Sequence, residues 1–489
     1  MSSRQAPPLS PAAEGRSDPP VTDGVKPPTP QDRRREAILH GPVLPTLLRL
    51  GLPVIAVIVA QTAVAVTETY WISRLGTDAL VGVTLVLPVF VLMATMSNGG
   101  IGGGVSSAVA RAVGAARNEE ADALLLHAIV LAVGFGLLFT AGAVLGGRAL
   151  YGALGGEGAA LNAALLYSGW VFGAAVPIWI VNLLASALRG AGEVRLPAIV
   201  TLAGAAALFP LSPALIFGWG PLPRLEVAGA GLAVVLYYLV SLAVFLRYLT
   251  RDGGALRLRW SRLRRPLFGA ILGVGLVSAL GTLMASLTVV AVTGAVGLAG
   301  PSALAGFGIA SRIDSLLVPI LFGLGTAVIT MVGVATGAGL PERADRVSWT
   351  AAGLAFAVTE VIGVAAALFP DVWVGLFSDD PDVLAAGAIY LRVVAPFYGA
   401  IGLGLILYFA CQGRGKVFWP FVAGGVRLAV TAGGAWWLAS QGASLAIVFV
   451  AASVGSVLFG AINAFGLNRL ARAGEASKLE ARRSGTVRP

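Results

Sequence analysis

One cysteine, two histidines and a charged fraction of only 12% set the first limits on this 489-residue chain. The single Cys411 excludes an internal disulfide and any cysteine-based metal cluster. His40 and His127 are too few for a histidine metal site, so neither a metal nor a cofactor is expected. An average soluble domain carries about 25% charged residues. With so little charge, 57% hydrophobic residues and a mean hydropathy of +0.85, a compact chain of this length could not stay dissolved, which excludes a soluble enzyme. The two-residue alternation of membrane barrel strands is also missing. Long apolar runs are present instead, with 65 glycines, small residues that let membrane helices approach closely.

Residues 1–44 stand apart. They are rich in Pro, Ser and charge (Pro7-Pro8, Pro19-Pro20, Pro27-Pro28, Arg33-Arg34-Arg35), and they lack the apolar stretch of a signal peptide. They read as a disordered cytoplasmic tail, and the polar, basic stretch 468–489 reads as a second. Between them lie twelve apolar segments of membrane-spanning length: 45–72, 78–110, 121–146, 160–187, 196–219, 227–249, 267–297, 303–336, 347–369, 384–411, 418–438 and 443–467. The fold expected is an all-α integral membrane protein. Its twelve transmembrane helices form two pseudo-symmetric six-helix bundles, 45–250 and 267–467, joined by a basic connector, 251–266. The second and eighth segments are long enough to tilt or kink and contain Pro88 and Pro319.

Charge placement tests the count. With the N-terminal tail inside, the loops expected on the cytoplasmic side carry Arg111, Arg117, Arg189, Arg195, seven arginines between Arg247 and Arg265, Arg343, Arg346, Arg414 and Lys416. The opposite loops carry only Arg74, Arg148 and Arg224, and the acidic run Asp371, Asp379, Asp380, Asp382 falls there. Both termini are therefore expected in the cytoplasm. The net charge of +10 reads as topology and contact with anionic lipid, not nucleic-acid binding.

The chain also repeats itself. Gly190-Ala-Gly192-Glu-Val-Arg-Leu-Pro197 resembles Gly413-Arg-Gly415-Lys-Val-Phe-Trp-Pro420 at an offset of 223 residues. Gly114-Ala-Ala-Arg-Asn-Glu119-Glu-Ala121-Asp122 resembles Gly337-Ala-Gly-Leu-Pro-Glu342-Arg-Ala344-Asp345 at the same offset. Gly76-Thr-Asp-Ala-Leu-Val-Gly82 resembles Gly300-Pro-Ser-Ala-Leu-Ala-Gly306 at an offset of 224. Six helices per unit is an even number, so the repeat is parallel, as in secondary transporters built around a central pathway.

Over residues 45–465 the chain resembles the multidrug and toxic compound extrusion (MATE) family. The resemblance rests on Leu188-Arg-Gly-Ala-Gly192, Leu215-Ile-Phe-Gly218 with Gly220-Pro221, Val227-Ala-Gly-Ala-Gly-Leu-Ala233 and the two G-A-x-x-x-E-x-A loops. It implies two six-helix lobes around a cavity and cation-coupled export of amphipathic, often cationic, organic compounds across the inner membrane. It implies no enzyme activity. Within Val66-Thr-Glu-Thr-Tyr-Trp71, Glu68 matches an acidic position that the family uses for cation coupling. Three departures stand beside it. Where many members carry an Asn and an Asp in helix 5 this chain has Leu208 and Ser212, with Pro210 between. It aligns Ala285 with a Glu in helix 7, and only neutral residues around Tyr398 and Gly402 with an Asp in helix 10. An oxygen cage for sodium is hard to assemble from these, so proton coupling through Glu68 is expected, as in the DinF-like branch.

Ionisable residues inside a membrane are functional candidates by default. Glu360, in the middle of the ninth segment, and Asp314, near Arg312 at the start of the eighth, are possible second acidic sites. Arg427 in the eleventh is expected to meet helix ends or lipid phosphate. Gln61, Thr67, Tyr70, Met93, Met96, Asn98, Tyr167, Trp179 and Asn182 are candidates for lining a substrate cavity in the first bundle, because Met and aromatic surfaces suit varied apolar cations. Asn98-Gly-Gly-Ile-Gly-Gly-Gly104 resembles a phosphate loop but lacks its Lys-Ser/Thr ending and preceding strand, so its glycines read as close-packing or hinge residues. The partners expected are a small-molecule substrate, a proton and the lipid bilayer, with the protein a monomer. The alternative on the same architecture is a flippase or exporter of a lipid-linked or small-metabolite substrate.

Overall fold

The computed structural model describes residues 30–251 and 253–483. Helix α1 (Pro30–His40) precedes twelve long elements. These are α2 (Val43–Ser73), α3 (Thr77–Gly114), α4 (Asn118–Ala153), α5 (Gly158–Gly173 and Ala175–Gly190), α6 (Arg195–Phe217), α7 (Val227–Leu249), α8 (Arg265–Gly297), α9 (Pro301–Gly337), α10 (Pro341–Leu368), α11 (Pro381–Gly413), α12 (Phe418–Ser440) and α13 (Leu445–Arg483). Eleven are each long and apolar enough to cross a membrane, and the two segments of α5, which meet at 48°, make the twelfth span. Large apolar side chains such as Leu145, Val240 and Val361 are exposed, as hydrocarbon-facing residues of a membrane bundle must be.

The break in α5 has a local cause. Pro177 cannot donate to the carbonyl of Gly173 and its ring crowds that carbonyl, so Ala174 leaves the helix (φ −95°, ψ 14°). In α11, Pro396 sits in a short 3-10 turn over Ala395–Phe397, and Phe397 takes φ −113°, ψ 12°. Ala174 and Phe397 are equivalent under the 223-residue repeat, so the two halves bend at matching places. In α3 and α9 the expected kinks fall elsewhere than at the prolines. The helix runs through Pro88 and widens into a π-turn at Met96–Gly100, where two adjacent glycines relax the chain. The break in α9 comes at Ser311, well before Pro319. The π-turn also accounts for the change of repeat offset. A π-turn takes up one residue more than an α-turn, and the offset falls from 224 at Gly76 to 223 at Gly114.

The two halves meet along α2 and α3 of the first and α8 and α9 of the second. Their contacts come in repeat-related pairs. A Cβ on Gly114 would lie 2.1 Å from the Val334 carbonyl oxygen, and one on Gly337 would lie 2.0 Å from that of Arg111. Gly114 and Gly337 are repeat equivalents, as are Arg111 and Val334. Farther along, a Cβ on Gly100 would meet Ala279 at 2.9 Å, and one on the equivalent Gly323 would meet Ile55 Cγ1 at 2.2 Å. The interface is thus self-complementary about a pseudo-two-fold axis, and glycine is required wherever backbone meets backbone. All these contacts lie toward the end that carries α1. Toward the other end, Thr77–Thr95 packs chiefly on its own half, and so does Pro301–Ala310. The seam is closed at one end and splayed at the other.

Two stretches differ from the sequence reading. Residues 30–40, taken as part of a disordered tail, form α1, which lies across the closed end of the seam. Arg34 pairs with Glu193, Arg35 Nε donates to the Gly114 carbonyl at 3.0 Å, and Arg343 from the second half donates to the carbonyls of Ile38 (3.0 Å) and Gly41. The arginines that make the segment look unstructured are the groups that dock it. At the other terminus, α13 continues as helix to Arg483, past the expected tail boundary at 468. Residues 1–29 and 484–489 lie outside the described residues. The connector is also anchored: Ala255 and Leu256 are buried, the Arg257 N–H donates to Asp122 Oδ1 (2.8 Å) and the Arg264 N–H to His127 Nε2 (2.9 Å).

Gly114→Val should destabilise the protein by about 1–3 kcal/mol, since its side chain would be driven into the α9 backbone. Gly142→Val, at a position with nothing within 4 Å, should change stability little. Thermal unfolding followed by tryptophan fluorescence distinguishes them, and equal shifts would show that the seam is not the tight point.

Candidate functional site

In the first half, Glu68 lies on α2 near the splayed end. Its Oε1 is buried and has no hydrogen-bond partner. Tyr167 of α5 and Tyr238 of α7 lie within electrostatic reach of its carboxyl, and both tyrosines are buried. The carboxyl thus shares its surroundings with two tyrosines of the first half. Leu208, at one of the α6 positions where related sequences carry polar ligands, packs with Leu215 and Ala233 against Val64 and brings no oxygen. Ser212 Oγ is buried without a partner. At the repeat position of Glu68, the second half carries the buried Val292.

Four of the side chains expected to line a cavity in the first half are buried. Met93, Tyr167 and Trp179 are buried, and Trp179 stacks on Phe135 with ring centroids 5.0 Å apart. Asn182 is buried and donates to Ser97 Oγ at 2.8 Å, tying α5 to the π-turn of α3. Thr67 donates to the Ala63 carbonyl, and Tyr70 receives Arg74 Nη2 at 2.7 Å, so both are satisfied within their own helix. Gln61 and Asn98 are exposed and Met96 is half-buried. The nine candidates thus divide into packed, bonded and exposed side chains, because an apolar helix in a membrane gives no sequence signal for which face is the cavity. The Asn98–Gly104 glycines do act in packing: a Cβ on Gly102 would lie 2.6 Å from Ser186 Oγ, and one on Gly104 would lie 2.3 Å from the Ile271 carbonyl oxygen.

A cavity of about 310 Å³ is lined almost wholly by residues of the second half. Asp314, at the first turn after the α9 break, opens onto it. Tyr390 donates to Asp314 Oδ2 at 2.6 Å and Tyr398 donates to Oδ1, so each carboxylate oxygen has a hydroxyl donor. Arg427 of α12 also lines this cavity, where it was expected to reach helix ends or lipid. Its guanidinium sits over the Phe459 ring at 5.5 Å, and its Nε has no hydrogen-bond partner. The neighbouring Arg312 stacks instead on Phe377. Tyr390 and Tyr238 are residues the sequence reading missed, and Arg427 was expected at helix ends or lipid rather than at a cavity. A lone arginine in the middle of an apolar 23-residue helix was the available signal.

Glu360 has a different task. It accepts the Gly399 N–H at 2.8 Å, and its neighbour Thr359 donates to the Tyr398 carbonyl at 3.1 Å. Gly399 opens the helical segment that restarts after the Pro396 break, where backbone N–H groups lack intrahelical partners. Glu360 caps that start from a neighbouring helix, a structural role.

The comparisons with known proteins agree with this architecture. The MatE family model matches residues 53–214 and again 277–437, once per half. A protein of Shewanella oneidensis named "FAD transporter" is 28% identical over 393 residues, covering 76% of this chain and 82% of that one. A "Probable multidrug resistance protein NorM" of Thermotoga maritima is 27% identical over 388 residues, covering 77% and 81%. Among solved structures, a MOP superfamily transporter from Pyrococcus furiosus superimposes with a TM-score of 0.82 at 24% identity, over 90% of this chain and 98% of that one, which establishes the shared fold.

Glu360→Gln keeps an oxygen for the Gly399 N–H and should leave stability nearly unchanged. Glu360→Leu removes the acceptor and should cost about 1–3 kcal/mol. Thermal unfolding of the two variants side by side measures the difference, and equal losses would assign the role to the charge rather than to the cap.

Proposed function

The chain belongs to the MatE family, and from that premise we propose that it is a proton-coupled antiporter exporting amphipathic organic compounds across the inner membrane. The observation that carries the coupling is Glu68: a membrane-embedded carboxyl oxygen, buried and without a partner, turned toward two tyrosines inside the first half. Binding a proton there removes a charge from a dry site. Two arrangements of the halves that hydrate it differently must then differ in proton affinity, which is the linkage an antiporter needs. The scarcity of oxygen ligands at Leu208 and Ala285 favours protons over sodium.

Direction follows from charge. The fifteen Lys and Arg residues of the loops at the α1 end, against three at the opposite end, support cytoplasmic termini. On that reading the closed seam faces the cytoplasm and the splayed end faces outward. Alternating access then consists of parting the glycine contacts of α3 and α9 while the other end closes. Reporter fusions after His40 and after Gly220 should report opposite sides of the membrane; the same side for both would overturn the topology.

For the exported compound, the family resemblance favours amphipathic cations. A second reading, export of an aromatic metabolite bearing negative charge, is favoured by Arg427 in the second-half cavity and by the relative named as an FAD transporter. The first test is transport of a fluorescent lipophilic cation into proteoliposomes under a proton gradient. We expect wild-type flux insensitive to sodium, reduced about tenfold or more in Glu68→Gln. Full flux in that variant would remove Glu68 from the coupling mechanism.

A further inference from the structure

Arg427 is an ionised group of the second half whose bonding is incomplete, since its Nε has no hydrogen-bond partner. It sits mid-way along α12, inside a span that holds no other charged side chain, and it lines the 310 Å³ cavity beside Asp314. The obvious partner is already occupied. Each oxygen of Asp314 accepts a tyrosine hydroxyl, from Tyr390 and from Tyr398. Asp314 and Arg427 interact electrostatically, yet among the described residues Arg427 forms no ion pair, and its Nε has no hydrogen-bond partner. A guanidinium offers five N–H donors in a planar fork. A cation held in a membrane span with donors to spare is suited to an anionic acceptor brought into the cavity.

The cavity indicates what that is. Besides Phe459, over which the guanidinium sits, its walls include the aromatic residues Phe322, Tyr408 and Phe409. Its volume is at the low end of small-molecule sites. Two π-turns adjoin it: Gly99, from Met96–Gly100 of α3, lines the wall, and Ala429–Gly433 of α12 begins two residues after Arg427. Such turns cost regular hydrogen bonding and are found frequently at functional sites. The first of them belongs to α3, so the first half contributes to a cavity otherwise built by the second, and a motion between the halves would alter it.

We propose that Arg427 binds the carboxylate or phosphate of an amphipathic aromatic substrate in this cavity, with the aromatic body against Phe322, Phe409 and Tyr408. Asp314 is the internal counter-charge that the two tyrosines hold beside this site. The inference rests on the reading of the chain as an exporter for the word substrate, but the binding site itself does not require transport.

The test is therefore equilibrium binding to the full-length protein in phosphatidylcholine nanodiscs, with 4-methylumbelliferyl phosphate as the anionic probe and 7-methoxy-4-methylcoumarin as its neutral counterpart. Wild type should bind the phosphate at least about tenfold more tightly than the neutral probe. Arg427→Gln should bring that ratio to near one, and Arg427→Lys should retain part of it, since lysine keeps the charge without the fork. Asp314→Asn keeps hydrogen-bonding capacity but removes the competing charge, so it should tighten phosphate binding by about tenfold; because its effect is a gain, misfolding cannot mimic it. An unchanged anion preference in Arg427→Gln, or weaker phosphate binding in a folded Asp314→Asn, would overturn the site. Loss of phosphate binding when phosphatidylglycerol is added to the nanodiscs would assign the guanidinium to a lipid headgroup and overturn the substrate assignment. Arg427-dependent binding with no proton-driven flux in proteoliposomes would leave the site standing and remove the export reading instead.

Discussion

The structure depends on a backbone contact. Where α3 crosses α9, Gly114 lies against the Val334 carbonyl and Gly337 against that of Arg111, so close that no side chain fits between. Helices already in lipid gain nothing further by leaving water; they associate through dispersion, which grows only as surfaces approach closely. The seam is therefore strongest where both partners present bare backbone, and the repeat supplies such places twice. The seam fixes the closed end, leaves Thr77–Thr95 and Pro301–Ala310 to splay with their own halves, and sets the surface that α1 crosses with its arginines.

Much of the architecture could be read before the structure, for a reason specific to membranes. Bilayer thickness sets the length of an apolar run, so the expected segments 45–72 and 418–438 correspond to Val43–Ser73 and Phe418–Ser440. Ends were less exact where helices continue beyond the hydrocarbon, as in Asn118–Ala153 against 121–146. Loops facing water keep their own chemistry, which is why the repeat was visible in G-x-G-x4-P and G-A-x-x-x-E-x-A while the helices between them had diverged.

The direction in which side chains point could not be read in the same way. In a soluble helix the apolar stripe marks the inside. In lipid both sides are apolar, and Met93, Trp179 and Tyr167 carry no sign of whether they fill a core or line a space. The buried positions of Trp179 and Met93 and the exposure of Gln61 follow from packing that a single chain does not encode locally. Polar composition misleads in the opposite direction at 30–40, where a tertiary ion pair, arginine–carbonyl hydrogen bonds and the burial of Ile38 and Leu39 order a segment that is otherwise polar. Glu68 was legible because a carboxyl inside an apolar run is conspicuous. Arg427 was equally conspicuous, but its direction was not.

The repeat gives these ionised groups a shared frame. Tyr167 and Tyr390 are equivalent under the 223-residue offset, and each serves the buried acid of its own half, Tyr167 within reach of Glu68 and Tyr390 bonded to Asp314. The acids themselves are not equivalent: Glu68 comes from the first span of its half, Asp314 from the second span of the other. A duplicated scaffold thus keeps a tyrosine at one fixed place and presents a carboxyl to it from two different helices. The surroundings diverge in the same sense. The position equivalent to Arg427 is Gly204, where a Cβ would strike the Tyr237 ring at 2.1 Å, so the first half has no room for a guanidinium there. One half therefore holds an acid with an unpartnered oxygen, and the other an acid whose oxygens are both occupied beside a cation with an open donor. Two pseudo-symmetric bundles joined along one glycine seam thus carry different ionisable groups, a carboxyl with an open oxygen in the first and a guanidinium with an open donor in the second, without either disturbing the packing that joins them.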